Sequence, residues 1–223
     1  MIAPALLGLV LVIVLPARAL INSKGRRAPR SPSIRYAQTI AEICVLLIAL
    51  AAIAFWHDVP PAELGLAWPP PRAGQIGLAL GVLLIAGAAI AVVAVKPRNS
   101  PREEEALNQL PQGRRETALF VALAPAVGIG WEALYRGFLL WWLTPLVGLV
   151  AAVVVASLAY GLAHGWKSHA EGIGSIAAAF LFTIAYALTG SLWWLMMVHS
   201  ALPIVALLAR RRASRNSLGA STT

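Results

Sequence analysis

The feature of this sequence that most constrains its fold is a series of long apolar runs. A hydrocarbon core about 30 Å thick requires roughly 20 helical residues to cross it. With 59% hydrophobic and 12% charged residues, the chain carries more apolar surface than a soluble core of its size can bury. Because a backbone in lipid must satisfy its own hydrogen bonds, each run predicts a helix. We therefore expect an all-α, polytopic helical membrane bundle of about seven transmembrane helices, over residues 2–21, 38–56, 74–95, 117–143, 145–164, 172–188 and 192–209.

The positions of lysine and arginine predict how these helices cross the membrane. A net charge of +9 would suggest nucleic-acid binding in a soluble protein, but most basic residues here lie in the alternate loops 23–35 and 96–115, at Lys167 and in the C-terminal tail. The positive-inside rule therefore places the N-terminus outside and the C-terminus in the cytoplasm. We expect a multi-pass protein of a prokaryotic plasma membrane that contacts membrane lipids and no nucleic acid. Six tryptophans lie at the opposite ends of the runs, as in an interfacial belt, and Trp166 lies at the cytoplasmic boundary: the six are Trp56, Trp68, Trp141, Trp142, Trp193 and Trp194.

The first run has an alternative interpretation as a secretory signal peptide, because residues 17–19 resemble a cleavage site. It lacks a basic segment before the apolar run and is followed by a basic cluster, which favours a retained helix.

The charge pattern also divides the chain into four parts. The expected parts are a three-helix membrane segment (1–95), a charged cytoplasmic linker (96–116), a core of four transmembrane helices (117–209) and a basic, disordered cytoplasmic tail (210–223).

A few ionisable side chains lie within the apolar runs. Each costs about 2.5 to 3.5 kcal/mol on insertion scales, so each needs a reason. Glu132 and Arg136 are four residues apart, in the order that favours an ion pair on one helical face, and such a pair could merely hold its helix in the bundle. His164 and His199 lie on two further runs. Glu42 is a candidate fifth, although it lies close to the headgroup region.

These residue types have a coherent chemistry when they converge. A carboxylate in a low-dielectric site is a stronger base than in water and can activate a water molecule. Histidines can donate hydrogen bonds to the oxyanion that forms when this water attacks a peptide carbonyl, or can bind a metal that does the same. We therefore predict Glu132, His164 and His199 as catalytic residues. No cofactor is certain; a divalent metal, if there is one, would be bound by the two histidines.

Three short motifs in residues 117–208 resemble those of a known family. Residues 131–137 resemble a Glu-Glu-x-x-x-Arg-Gly motif, and Tyr160 with His164 matches an aromatic residue four positions before a histidine. His199 matches the first position of His-x-x-x-Asn. In this order, each on its own apolar run, these motifs are similar to those of the CAAX-processing and bacteriocin-processing intramembrane proteases, the CPBP or Abi family.

The resemblance implies an intramembrane glutamic endopeptidase or metalloprotease that acts on a membrane-embedded or lipidated protein or peptide substrate. In that interpretation residues 117–209 form the protease core, and Arg136 and Tyr160 support the catalytic residues. Two motif positions depart from the family. Trp131 replaces the first glutamate, to which water activation is usually assigned, and Pro203 replaces the asparagine; neither side chain can take over that chemistry.

Two other functions stay open at this point. The chain could be an inactive family member that binds or regulates other membrane proteins, because of the two altered positions. It could also be a small transporter whose intramembrane charges line a solute path. Against a transporter, the two halves show no inverted repeat, and the ionisable residues concentrate in the second half.

Depth in the membrane sets a condition on the proteolytic hypothesis. At about 1.5 Å per residue, Glu132 is expected near the bilayer middle, His199 in its outer half and His164 near the cytoplasmic side. Straight helices would keep these side chains apart, so the hypothesis requires tilts or breaks that bring them into one polar cavity. The sequence offers places for such tilts and breaks at Pro125, Gly128, Gly130, Gly161 and Gly165.

Overall fold

A computed structural model describes residues 2–24, 31–94, 111, 113–166 and 168–220 of the chain. Within these ranges the regular structure is helical, and none of these residues lies in a strand. The elements are α1 (Ile2–Leu9), a π-helical turn (Val10–Val14), α2 (Leu15–Lys24), α3 (Pro32–Trp56), a 3-10 turn (Pro61–Leu64), α4 (Arg72–Ala94), α5 (Arg114–Glu132), a second π-helical turn (Ala133–Phe138), α6 (Leu139–Val147), α7 (Leu149–Ala163), α8 (His169–Thr189) and α9 (Trp193–Ala220).

The prediction of a polytopic helical bundle is confirmed. In the described part of the chain, six helical stretches are long and apolar enough to cross a membrane. The run predicted at 145–164 forms a shorter helix, because Pro145 still belongs to α6 and Gly148, at φ +80°, turns the chain before α7 begins. With 15 residues, α7 is about 22 Å long. It is therefore shorter than the hydrocarbon core that the predicted run was expected to cross.

The predicted parts of the chain pack together in one bundle. Helix α5 lies against α3 and α9, α4 lies against α9, and α2 lies against α7, so the N-terminal helices pack against the second half. The predicted linker lies largely outside the described residues, and α5 begins at Arg114. Helix α9 continues to Ala220, through most of the segment predicted as a tail. The orientation in the membrane stays a prediction.

Two glycines allow the helices that carry the polar residues to approach closely. A Cβ atom built on Gly128 would lie 2.6 Å from the backbone nitrogen of Ser200, so α5 and α9 touch at this point. A Cβ atom built on Gly161 would lie 2.7 Å from the Cα atom of Ile176, which brings α7 against α8 in the same way. Small residues at helix crossings are the usual means of close packing in membranes. Here they fix the positions of the residues one turn away.

The first helix is joined to the centre of the bundle by a hydrogen bond between the two π-helical turns. The backbone N–H of Leu15 bonds to the carbonyl of Val10, five residues earlier. In that pattern the partner of the Leu11 carbonyl would be Pro16, which has no N–H. The Tyr135 hydroxyl instead donates to the Leu11 carbonyl at 3.0 Å. Leu11 and Tyr135 are both buried, so this bond satisfies a polar group inside the bundle.

Replacing this hydroxyl tests its contribution to stability. We expect Tyr135→Phe to lower the free energy of unfolding by about 1–3 kcal/mol, because the Leu11 carbonyl would be left buried without a partner. Tyr186→Phe is the matched control, since Tyr186 is similarly buried and its hydroxyl makes no hydrogen bond to the described residues. Unfolding in detergent, followed by circular dichroism, measures both variants. Equal stability of the two would contradict this role for Tyr135.

Candidate active site

A buried ion pair lies where α5 passes into the second π-helical turn. Nη1 of Arg136 lies 2.6 Å from Oε2 of Glu132, and the two side chains are 1% and 2% exposed. The guanidinium carbon of Arg136 also lies 4.8 Å from the centre of the Tyr160 ring and 5.9 Å from that of Phe182. The carboxylate and these two aromatic rings therefore stabilise the buried charge of the arginine.

The second oxygen of the same carboxylate contacts a histidine from another helix. Oε1 of Glu132 lies 2.8 Å from Nδ1 of His199 on α9. Because a carboxylate accepts, Nδ1 carries the proton, and in the neutral ring Nε2 is then an acceptor. The Tyr160 hydroxyl lies 3.5 Å from this Nε2, a long contact in which the hydroxyl donates. Glu132, His199 and Tyr160 thus form a carboxylate–imidazole–hydroxyl series across three helices.

His164 lies at the end of α7 and joins this series through Tyr160. Its Nδ1 donates to the backbone carbonyl of Tyr160 at 2.9 Å, and its ring lies edge-on to the Tyr160 ring at 4.7 Å between centres. With Nδ1 engaged in this way, Nε2 is the ring nitrogen left for a water molecule or a substrate. No hydrogen bond among the described residues joins His164 directly to Glu132 or His199.

These side chains line one cavity of about 530 Å³. Glu132, Arg136, Tyr160, His164 and His199 all contribute to its wall, so the structure brings the predicted constellation together. His199 is 27% exposed, and its ring is therefore accessible from the cavity. Glu132 and His199 were expected at different depths in the bilayer. They meet because Gly128 contacts Ser200, Glu132 follows Gly128 by one turn, and His199 directly precedes Ser200.

The two altered motif positions lie elsewhere. Trp131 borders a second cavity, of about 270 Å³, together with Arg18 and Glu42. Tyr160 and His164 line both cavities and so form a wall between them. Pro203 lies within α9 and does not line the first cavity.

The second cavity contains an ion pair that the sequence did not predict. Nη2 of Arg18 lies 2.5 and 2.6 Å from the two carboxylate oxygens of Glu42. Glu42 was singled out as a candidate ionisable residue, but its partner lies on another helix and could not be identified from spacing.

The residues of the first cavity do not fit a three-ligand metal site. A catalytic zinc site is usually held by three protein ligands, and no group of three His, Cys, Asp or Glu side chains comes together among the described residues. In both histidines Nδ1 is engaged, with Glu132 and with the Tyr160 carbonyl, so Nε2 is the ring nitrogen that is left to bind a ligand. Binding of a divalent metal by the two histidines stays a prediction.

One charged residue of the first cavity was missed. Glu171, in the first turn of α8, lines the same cavity as Glu132. The predicted runs leave it in the loop between residues 164 and 172. The pattern of Ser168 followed three residues later by Glu171 is a helix-start signal, and it could have placed this acid on a helix.

Comparison with protein families gives a match in the second half of the chain. Residues 113–205, about two fifths of the chain, match the family model described as type II CAAX prenyl endopeptidase Rce1-like. The match confirms the resemblance drawn from the three motifs, and its range includes the five predicted residues of the first cavity and excludes α1 to α4. No curated protein and no solved structure gives a significant match to the chain.

The chain offers a matched pair of ion pairs for a stability test. We expect Arg136→Met to lower the free energy of unfolding by about 3–5 kcal/mol, because it leaves Glu132 charged and buried without its partner. Arg18→Met removes an arginine that is 56% exposed and should cost less than about 1 kcal/mol. Thermal unfolding in one detergent compares the two variants. Similar losses of stability in both variants would show that the buried pair of Arg136 and Glu132 contributes no more than the pair of Arg18 and Glu42.

Proposed function

We propose, from the match of residues 113–205 to the family model described as type II CAAX prenyl endopeptidase Rce1-like, that this chain is an intramembrane endopeptidase. It would hydrolyse a peptide bond in a membrane-associated protein substrate. The family match supports the reaction class. The observation that carries the proposal for this chain is the 2.8 Å contact between Glu132 and His199 in a cavity that also holds Tyr160 and His164.

The glutamate would activate water through the histidine. Both oxygens of Glu132 are engaged, one with Arg136 and one with His199, so Nε2 of His199 is the better-placed proton acceptor. A water molecule would give its proton to Nε2 while its oxygen bonds to the substrate carbonyl carbon. Glu132 would orient the ring and stabilise the imidazolium that forms, as the carboxylate of a catalytic triad does. The imidazolium would then return the proton to the leaving amine nitrogen as the C–N bond breaks.

The negative charge on the former carbonyl oxygen needs hydrogen-bond donors. The sequence predicts this role for both histidines, and the contacts favour a division of roles. The Tyr160 hydroxyl lies beside His199 and could turn from its nitrogen to the oxyanion when water takes its place. Nε2 of His164, on the same cavity, would hold the attacking water, or would donate to the oxyanion in the protonated ring.

The altered positions are compatible with this mechanism. Trp131 cannot act as a base, but it borders the second cavity and leaves the pair of Glu132 and His199 in place. Pro203 likewise lies outside the lining of the first cavity. This placement favours an active enzyme over the inactive family member that the two departures also allow.

Substitution of Glu132 tests the mechanism. We expect Glu132→Gln and His199→Gln each to reduce kcat about 10²- to 10⁴-fold, because each removes the proton acceptor or its orienting carboxylate. Glu63→Gln is the control, since Glu63 accepts a hydrogen bond from Trp141 and lies outside the cavity. The assay is cleavage of quenched fluorescent peptides by purified protein in proteoliposomes. A Glu132→Gln protein that cleaves at the wild-type rate would remove this mechanism.

The alternative, an inactive binding or regulatory protein, has its own signature. It predicts no cleavage of any reporter by the wild-type chain. Trp131→Glu combined with Pro203→Asn would then be required before turnover appears. Cleavage by the unmodified chain decides for the protease.

A further inference from the structure

One wall of the first cavity is a face of α8. Glu171, Gly174, Ala178 and Phe182 lie along it at helical spacing, with the two small residues in the middle. A Cβ atom built on Gly174 would meet no other atom within 4 Å, so the wall is open at this position. Eleven residue steps from Glu171 to Phe182 span about 16 Å, the length of about five residues of extended chain. The cavity therefore has the length of a cleft for an extended peptide segment.

The two ends of this cleft differ in charge. At the Phe182 end, Arg136 and Glu132 neutralise each other. At the other end, the carboxylate of Glu171 is exposed and has no partner among the described residues. The helix cap involves its main chain, because the backbone N–H of Glu171 donates to Ser168 Oγ at 3.2 Å. When both histidines are neutral, Glu171 is thus the charged residue of the lining that has no oppositely charged partner there.

We propose that the substrate binds along α8 as an extended peptide segment and that Glu171 selects a lysine or arginine in this segment. The basic side chain lies at the Glu171 end, and the rest of the segment runs along Gly174 and Ala178 towards Phe182 and the pair of Glu132 and His199. An ion pair at such a partly solvated end orients a ligand and discriminates between charges more than it adds affinity. This inference rests on the proposed function and names the substrate class of the same site.

Charge-matched reporter peptides test the selection. Three reporters identical except for lysine, norleucine or glutamate at one position, scanned along the peptide, are compared by kcat/KM. We expect one position at which lysine is preferred over norleucine about fivefold, as is typical of a solvated ion pair. The preference should vanish in Glu171→Gln and turn towards the glutamate reporter in Glu171→Lys. Equal lysine-to-norleucine ratios in the wild-type and Glu171→Gln proteins would overturn the inference.

The position of the cleft has a separate test. Gly174→Leu places a side chain in the open space of the wall, and we expect it to raise KM without lowering the unfolding temperature. Gly87→Leu is the matched control, because Gly87 lies in α4 and a Cβ there also meets nothing within 4 Å. An unchanged KM in Gly174→Leu would place the substrate elsewhere.

Binding separates this inference from the proposed function. Glu132→Gln protein and the labelled lysine and norleucine peptides are mixed, and fluorescence anisotropy gives the two Kd values. A lysine preference that depends on Glu171, together with no cleavage by the wild-type chain, would refute the protease and keep the binding cleft. Cleavage without any lysine preference would support the protease and refute the selection by Glu171.

Discussion

The fold and the candidate site both depend on one buried carboxylate, that of Glu132. A charge taken out of water is costly unless it is paired and hydrogen-bonded. Its two oxygens contact Arg136 at 2.6 Å and His199 at 2.8 Å. The first contact keeps the charge within one helical turn, and the second ties α5 to α9. The interaction that makes Glu132 tolerable in the bundle is therefore the same interaction that orients an imidazole towards the cavity.

This arrangement needs helices that approach more closely than large side chains allow. Gly128 brings α5 against Ser200, and Gly161 brings α7 against Ile176, so that three helices place their polar groups around one space. The N-terminal helices, which lie outside the segment that matches the family, pack against these helices. Tyr135, between Trp131 and Arg136 in the chain, donates to Leu11 of the first helix. The site is thus supported by a part of the chain that carries none of the three motifs.

The sequence predicted the helices well because apolar runs of 20 residues have few alternatives in lipid. It overestimated the length of α7, since Gly148 at φ +80° turns the chain after α6. It also predicted five polar residues of the first cavity, but not Glu171. It did not predict that Glu132 and His199 touch, because depth arithmetic assumes straight, parallel helices. Pairs such as Arg18 and Glu42 depend on which helices are neighbours, and spacing along one chain carries no information on that.

The second cavity gives a physical reason why tryptophan is acceptable at position 131. Trp131 faces a space in which Arg18 already pairs with both oxygens of Glu42. A glutamate at position 131 would add a second negative charge beside an arginine whose charge is already compensated, at a cost that grows with burial. Tryptophan fills the same wall without charge and packs against Tyr135, 5.9 Å away between ring centres. Position 131 and the Arg18–Glu42 pair are therefore mutually consistent, and they leave the acid of the first cavity to Glu132.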